Sequence, residues 1–260
     1  MILDSLGEIE LFKSELGMSY VKVKLENSKE IIPLESDRFK NYLTHFYMVN
    51  TNEITAPQNN ALESAIKTLK ARAFLQQKKE ELFTRIAKTR GKIYIDLNNS
   101  KYEVVEVTKE GWRIINNPPV NFIRTNTMQA LLKPLEGGNI DQLKPFINYN
   151  NEADFKLLIG WILTTFRSDI PLPILILNGE QGSAKSTTTK VLKELVDPSM
   201  VPIRTLPKNE EDLAIAARHS WLLSFDNVSN INNDISDSLC KMATGGAYTT
   251  RKLFENDEET

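Results

Sequence analysis

The sequence is poor in cysteine and histidine, with one cysteine and two histidines among 260 residues. Cys240 alone cannot form an internal disulfide, which is typical of a protein kept in a reducing cytosol. Together with His45 and His219 it also makes no zinc-ligand cluster, since such sites need several closely spaced ligands. We therefore expect a cytoplasmic protein without a structural zinc ion.

Long apolar runs and an excess of one charge are lacking as well. The longest mostly apolar run, residues 157–166, is about half the roughly 18–20 residues of a membrane-spanning helix. The amino terminus shows no basic region followed by an apolar segment, the pattern of a signal peptide. Lys and Arg total 32 against 34 Asp and Glu, a net charge of -2. These features disfavour a membrane protein and a histone-like binder of polyanions, while a local basic groove is compatible with them.

A chain of this length is sufficient for roughly two domains, and its patterns predict an α/β protein. We place the boundary near residue 148, with an α+β accessory domain over 1–148 and a P-loop ATPase domain over 149–260. In the first domain we expect a strand at 20–25, a helix capped by Ser36, and helix over 61–90. Residues 92–97, 101–107 and 111–115 predict three strands of an antiparallel meander.

The segment 61–90 is the most basic part of the chain, with eight Lys and Arg residues and three Glu residues. Such a segment can contact nucleic acid, or it can be the solvated face of a helix. The sequence leaves both interpretations open.

A glycine-rich sequence, GEQGSAKST at 179–187, follows a continuous apolar run at 174–177 and precedes a helical pattern over 186–195. A buried parallel strand, a loop and a helix in this order form a P-loop, whose glycines let successive N–H groups point at phosphate oxygens. Lys185 can place its ammonium on the β- and γ-phosphates of ATP, and Ser186 can offer a hydroxyl to Mg²⁺. The expected nucleotide-binding residues are Gly179, Glu180, Gln181, Gly182, Ser183, Ala184, Lys185, Ser186 and Thr187. The alternative, a chance turn with a surface lysine, is disfavoured by the order of the elements.

Ala184 stands where the usual P-loop has the glycine that precedes the lysine. A residue at the start of a helix needs no positive φ, so we expect alanine to be tolerated there.

A second apolar strand is predicted at 221–225, and it ends in Asp226 and Asn227. An acidic residue at the carboxyl end of a strand beside the phosphate loop is where Mg²⁺ and its waters are held. We therefore expect Ser186 and Asp226 to bind the metal, and Lys185, Asp226 and Asn227 to be the catalytic residues. Asn227 can orient a water but cannot accept its proton, so no general base is assigned. An ordinary turn after a strand is the alternative.

A third motif, TGGAYTTRKLF at 244–254, follows a helix that Asp234 can cap and Gly245 can end. Arg251 and Lys252 within it can contact nucleic-acid phosphates. Two surface charges on a solvated edge strand are the alternative.

The three motifs together resemble the superfamily 3 primase-helicase ATPases of phages and mobile elements, on GEQGSAKST, SFDNVSN at 224–230 and SLCKMATGGAYTTRKLFENDEE at 238–259. The upstream stretches GKIYIDLNN at 91–99, EGWRI at 110–114 and NPPVNFIR at 117–124 resemble the region before the ATPase. The resemblance implies an AAA+-like P-loop domain with a parallel sheet, in a ring of six copies that uses ATP and Mg²⁺ to move along single-stranded DNA. It also implies that Lys185 is the Walker A lysine, Ser186 a magnesium ligand and Asp226 the Walker B acid, with Arg251 and Lys252 on the DNA side.

The polar sensor strand and the arginine finger of such motors do not occur before Thr260, so we interpret the second domain as incomplete, with weak hydrolysis of its own. The alternative function is a nucleotide-binding module that docks on a full-length replication protein without chemistry. Primase activity is not expected, because the strand at 93–97 offers only Asp96 where that chemistry needs paired carboxylates. A small-molecule kinase is disfavoured because no arginine-rich lid follows the loop.

Overall fold

The computed structural model describes residues 9–15, 17–25, 28–51 and 54–244. The chain forms two units, each compact in itself. The first consists of Met1–Phe83 and Pro119–Ile123, and the second consists of Thr84–Pro118 and Arg124–Thr260. Residue 148, where the sequence predicts a domain boundary, lies inside the second unit, and that boundary stays a prediction.

The described residues form a mixed arrangement of helices and strands whose sheets are mostly antiparallel. The α-helices are α1 Asp37–Thr51, α2 Asn59–Gln76, α3 Glu152–Thr165, α4 Lys185–Val196, α5 Glu210–His219 and α6 Asn233–Ala243. The strands are β1 Ile9–Lys13, β2 Ser19–Lys24, β3 Lys29–Pro33, β4 Leu82–Phe83, β5 Ile86–Thr89, β6 Lys92–Asp96, β7 Val104–Thr108, β8 Gly111–Ile115, β9 Asn121–Phe122, β10 Arg204–Thr205 and β11 Phe225–Asp226. A 3-10 helix at Ile140–Phe146 precedes α3.

The first unit packs α1 and α2 with an antiparallel sheet of strand order β1-β2-β3. Val21 and Val23 of β2 are buried in its core, as the predicted strand at 20–25 requires. Helix α1 begins after Ser36, whose Oγ accepts a hydrogen bond from the Phe39 amide at 3.2 Å, so the predicted cap is confirmed. The same unit holds a short parallel pair between β4 and β9.

The predicted helix over 61–90 is wrong in its second half. Helix α2 ends at Gln76, and Gln77 takes a left-handed conformation with φ 51 and ψ 15. Residues 82–83 and 86–89 then pair as β4 and β5, so long-range pairing overrides the local helical pattern. The basic segment is therefore divided between the two units.

The second unit begins with an antiparallel meander of strand order β5-β6-β7-β8. Its last three strands confirm the predicted meander, and β5 adds a fourth strand at the β6 edge. Helices α3 and α4 share a core with Ile86 of β5 and with Ile147. The buried members of that core are Ile86, Ile147, Leu158, Ile162, Leu192 and Val196.

Two predicted strands differ from the structure. Residues 171–180 belong to no helix or strand, so the predicted strand at 174–177 is wrong. A strand requires a hydrogen-bonded neighbour, and within the described ranges no ladder includes these residues, whose Ile176 is 72% exposed. The predicted strand at 221–225 is reduced to its end, where Phe225 and Asp226 pair in parallel with Arg204 and Thr205.

Among the described residues, no helix combines the length and the apolar character that crossing a membrane requires.

Candidate functional site

The glycine-rich loop lies in the second unit, directly before α4. Gly182 has φ +83, a conformation that glycine adopts without a steric penalty. At Gly179 a Cβ would come within 2.6 Å of the Ser183 Oγ, so the Ser183 side chain would have to move. Gly182 is therefore glycine for its backbone conformation, and at Gly179 the chain passes close to the Ser183 side chain.

Ala184 has a left-handed backbone with φ 62 and ψ 21. The expectation that this position needs no positive φ is therefore wrong. Left-handed backbone costs a residue with a Cβ about 1–2 kcal/mol. The loop thus holds a strained alanine where the usual P-loop has glycine.

Helix α4 begins without a side-chain cap. The other α-helices described in this unit have Asn151, Asn209 and Asn232 as caps, each accepting hydrogen bonds from amides of the first turn. The first N–H groups of a helix have no acceptor within the helix, and the helix dipole makes this end attractive to anions. At α4 these groups follow a glycine-rich loop, which is the arrangement that binds phosphate.

Lys185 folds its side chain back over the loop. Its Nζ donates to the carbonyl oxygens of Gly179 at 2.8 Å and Glu180 at 2.7 Å, and lies 3.3 Å from the Ser183 Oγ. These contacts place a positive charge against the loop, where phosphate oxygens are expected.

Ser186 and Asp226 lie together, although 40 residues separate them in the sequence. The Ser186 Oγ donates to Asp226 Oδ2 at 2.7 Å, and Asp226 Oδ1 accepts from the Asn227 amide at 2.9 Å. These two hydrogen bonds, with the charges of Lys185 and Lys190, lower the pKa of the Asp226 carboxyl below its ordinary value. An ionised carboxylate beside a hydroxyl is a pair of hard oxygen ligands that suits Mg²⁺.

Asn227 is exposed and has a left-handed backbone with φ 55. Only its amide takes part in the contact with Asp226 described above. Its predicted catalytic role stays a prediction.

Two residues that contact the loop or the helix after it are not predicted from the sequence. Asn148, in a polar stretch that looks like a connector, lies 3.3 Å through its Nδ2 from the Ser183 carbonyl and so supports the loop from outside the motif. Asp197 follows α4 like any polar helix terminator, yet it is buried and binds Lys193 and Arg85. An acid directly after a helix, with a lysine four residues earlier, is a sequence signal that could have pointed to this pair.

The helix before the third motif is capped by Asn232, whose side chain accepts from the Ile235 amide at 2.8 Å, and not by Asp234. Asp234 lies inside α6, too late in the chain to serve as its cap. Gly245, Arg251 and Lys252 lie outside the described residues.

Residues 140–259 match the model of a protein family described as actinomycete integrative conjugative element replication protein. The matched stretch includes the glycine-rich loop, α4 and Asp226, and is a little less than half of the chain. The match supports a replication protein of a mobile element. The searches of curated proteins and of solved structures found no match.

Proposed function

We propose that the second unit binds ATP and Mg²⁺ at the 179–187 loop, as the ATPase part of a DNA helicase that replicates a mobile element. One observation carries the proposal. The Ser186 hydroxyl and the Asp226 carboxylate meet at 2.7 Å at the start of an uncapped helix, next to the Lys185 ammonium. A hydroxyl and a carboxylate can bind Mg²⁺, while a nearby cation and the free N–H groups of the first helical turn can bind the phosphates.

The roles follow from the chemistry of each group. Lys185 would exchange its loop carbonyl partners for β- and γ-phosphate oxygens, and the N–H groups at the start of α4 would hold the phosphate chain. Ser186 and Asp226 would hold the metal, which neutralises phosphate charge when it is bound. Following the resemblance, we expect single-stranded DNA as the substrate of the intact motor and a ring of six copies as its working form.

Binding of ATP to the purified chain tests the proposal. We expect Lys185→Ala to weaken ATP binding about 10-fold to 100-fold, because it removes a charge-assisted contact to phosphate. Lys156→Ala, which removes an exposed lysine of α3, is the matched control and should bind like the original chain. Equal affinities for all three proteins, measured by calorimetry with Mg²⁺ present, would exclude the loop as the binding site.

A catalytically silent nucleotide-binding module is the second candidate, and Asn227 favours it. An amide after Asp226 cannot accept a proton from the attacking water. We therefore expect the chain alone to bind ATP but to release phosphate slowly. Phosphate release within the usual range of enzyme turnover, about 1–1,000 per second, would show that the chain hydrolyses ATP without a partner.

A further inference from the structure

Asp197 lies at the far end of the helix that carries the loop. It is fully buried, as are Lys193 and Arg85, which bind it from two sides. Lys193 Nζ is 2.7 Å from Asp197 Oδ2, and Arg85 Nε is 2.9 Å from Asp197 Oδ1. Buried charges are retained only when they are paired and their remaining hydrogen-bonding groups are satisfied.

Asp197 and Lys193 also satisfy the backbone that leads to Asp226. Asp197 Oδ2 accepts from the amides of Trp221 at 2.8 Å and Leu222 at 3.0 Å. Lys193 Nζ donates to the Leu222 carbonyl at 2.6 Å. Leu222 is therefore held through both its N–H and its C=O by side chains at the end of α4.

Helix α4 thus makes hydrogen bonds to the segment 221–226 at two points. Its first turn carries Ser186, which binds Asp226, and its last turn carries Lys193, which binds Leu222. From Ser186 to Lys193 the helix rises by about 10 Å. Four residues of chain, from Leu222 to Asp226, can span at most about 13 Å. The segment is therefore long enough to reach both contacts, although only Phe225 and Asp226 of it form a strand.

We propose that Asp197, with Lys193 and Arg85, is a positioning group that sets the place of Asp226 relative to Ser186, and so the geometry of the Mg²⁺ ligands. The proposal rests on the proposed function for its metal, but the positioning itself is a property of the nucleotide-free chain. Arg85 extends the group to the meander, because its guanidinium also donates to the Asp96 carbonyl at 3.1 Å.

Asp197→Asn is the first test variant, because it keeps the shape of the side chain and removes the charge. Asp96→Asn is the matched control. Asp96 is a fully buried acid paired with Arg124 at 2.6 Å, but its carboxylate does not contact the segment 221–226. If Asp197→Asn does not fold, Lys193→Met takes its place, since it loses the Leu222 contact and leaves Arg85 paired with Asp197.

The first measurement compares ATP affinity with Mg²⁺ and with a chelator. We expect the Mg²⁺-dependent gain in affinity to fall about tenfold in the Asp197 or Lys193 variant, as for other groups that orient metal ligands. Affinity without Mg²⁺ should change less than about twofold, and Asp96→Asn should keep the gain. In an Asp226→Ala background the variant should cause no further loss, because the ligand it positions is gone. An equal loss with and without Mg²⁺, or an equal loss in the Asp96 control, would overturn the proposal.

The second measurement needs no nucleotide. In Asp197→Asn, amide hydrogen exchange should accelerate more at residues 221–227 than in the meander. In Asp96→Asn the order should be reversed, with the larger acceleration in the meander. Unchanged protection at 221–227 in the Asp197 or Lys193 variant would reject the positioning role. If the original chain binds no ATP, the proposed function fails, and this comparison still decides whether the segment is positioned by α4.

Discussion

Ala184 combines a Cβ with a left-handed backbone at the entrance to α4. Glycine would remove the steric cost of about 1–2 kcal/mol, against an entropy cost of about 0.5–1 kcal/mol in the unfolded chain. We therefore expect Ala184→Gly to raise the free energy of unfolding of the second unit by about 0.5–1 kcal/mol. Urea unfolding followed by tryptophan fluorescence measures this change.

The matched control is Ala71→Gly, which places glycine at an exposed position inside α2. There the backbone is helical, so glycine should lower the stability of the first unit by about 1 kcal/mol. Unfolding of this unit is followed by far-ultraviolet circular dichroism, because all three tryptophans belong to the second unit. Opposite signs for the two variants would support the left-handed conformation of Ala184. A destabilising effect at Ala184 would instead show that this conformation does not hold in solution.

The proximity of Ser186 and Asp226 could be predicted from the sequence, but the left-handed backbone of Ala184 could not. The spacing of Gly179, Gly182 and Lys185 indicates a phosphate loop, because few other sites need that order of residues. The left-handed Ala184 follows from how the loop joins the helix, which is a property of the chain path. The contacts of Asp197 could not be predicted for a related reason, since its partners Arg85 and Leu222 lie far away in the sequence.

At the end of helix α4, the stability that the Asp197 carboxylate contributes to the fold should depend on pH. Burial alone would raise the pKa of the Asp197 carboxyl, but the charges of Lys193 and Arg85 hold it below its ordinary value. A lowered pKa in the folded state adds stability above the unfolded value of about 3.9, and this is lost as the pH falls through the folded value. The difference in free energy of unfolding between the original chain and Asp197→Asn should therefore become smaller in acid.

Urea unfolding of the original chain and of Asp197→Asn at about pH 7 and about pH 3 measures this effect. We expect a wide gap in stability at the higher pH and a narrower gap at the lower one. Asp237→Asn, on the exposed face of α6, should differ little from the original chain at either pH. A gap for Asp197→Asn that is constant with pH would mean that Asp197 acts through shape and not through charge.

Elements whose pattern and partners are close in sequence could be predicted. The last three strands of the meander and helix α4 repeat apolar residues at their own period, and each of these strands pairs with the next. The two failures have different causes. The apolar run at 174–177 has the pattern of a buried strand but pairs with no strand among the described residues. The pattern around 82–83 is helical, yet these residues form β4 because they pair with β9, which lies far along the chain.

At the scale of the whole molecule, nucleotide binding should stabilise one unit and not the other. The three tryptophans, Trp112, Trp161 and Trp221, all belong to the second unit. A ligand at 100 times its dissociation constant adds about 2.7 kcal/mol to the state that binds it. We therefore expect ATP with Mg²⁺ to raise the thermal midpoint observed by tryptophan fluorescence.

Hydrogen exchange completes this test, because it reports on both units separately. Protection should increase in residues 124–244 and stay constant in β1, β2 and β3. Lys185→Ala should remove the increase. Equal gains in both units would indicate that they unfold as one cooperative body.

The pairing of β4 with β9 has a consequence for synthesis on the ribosome. Residues 121–122 complete the first unit, but they are translated after 84–118, which belong to the second unit. Chains grow at about 5–20 residues per second, and amino-terminal domains generally fold first. Here the β4–β9 pair cannot form until the meander has been translated, so the amino-terminal unit is completed only after part of the second unit has been made.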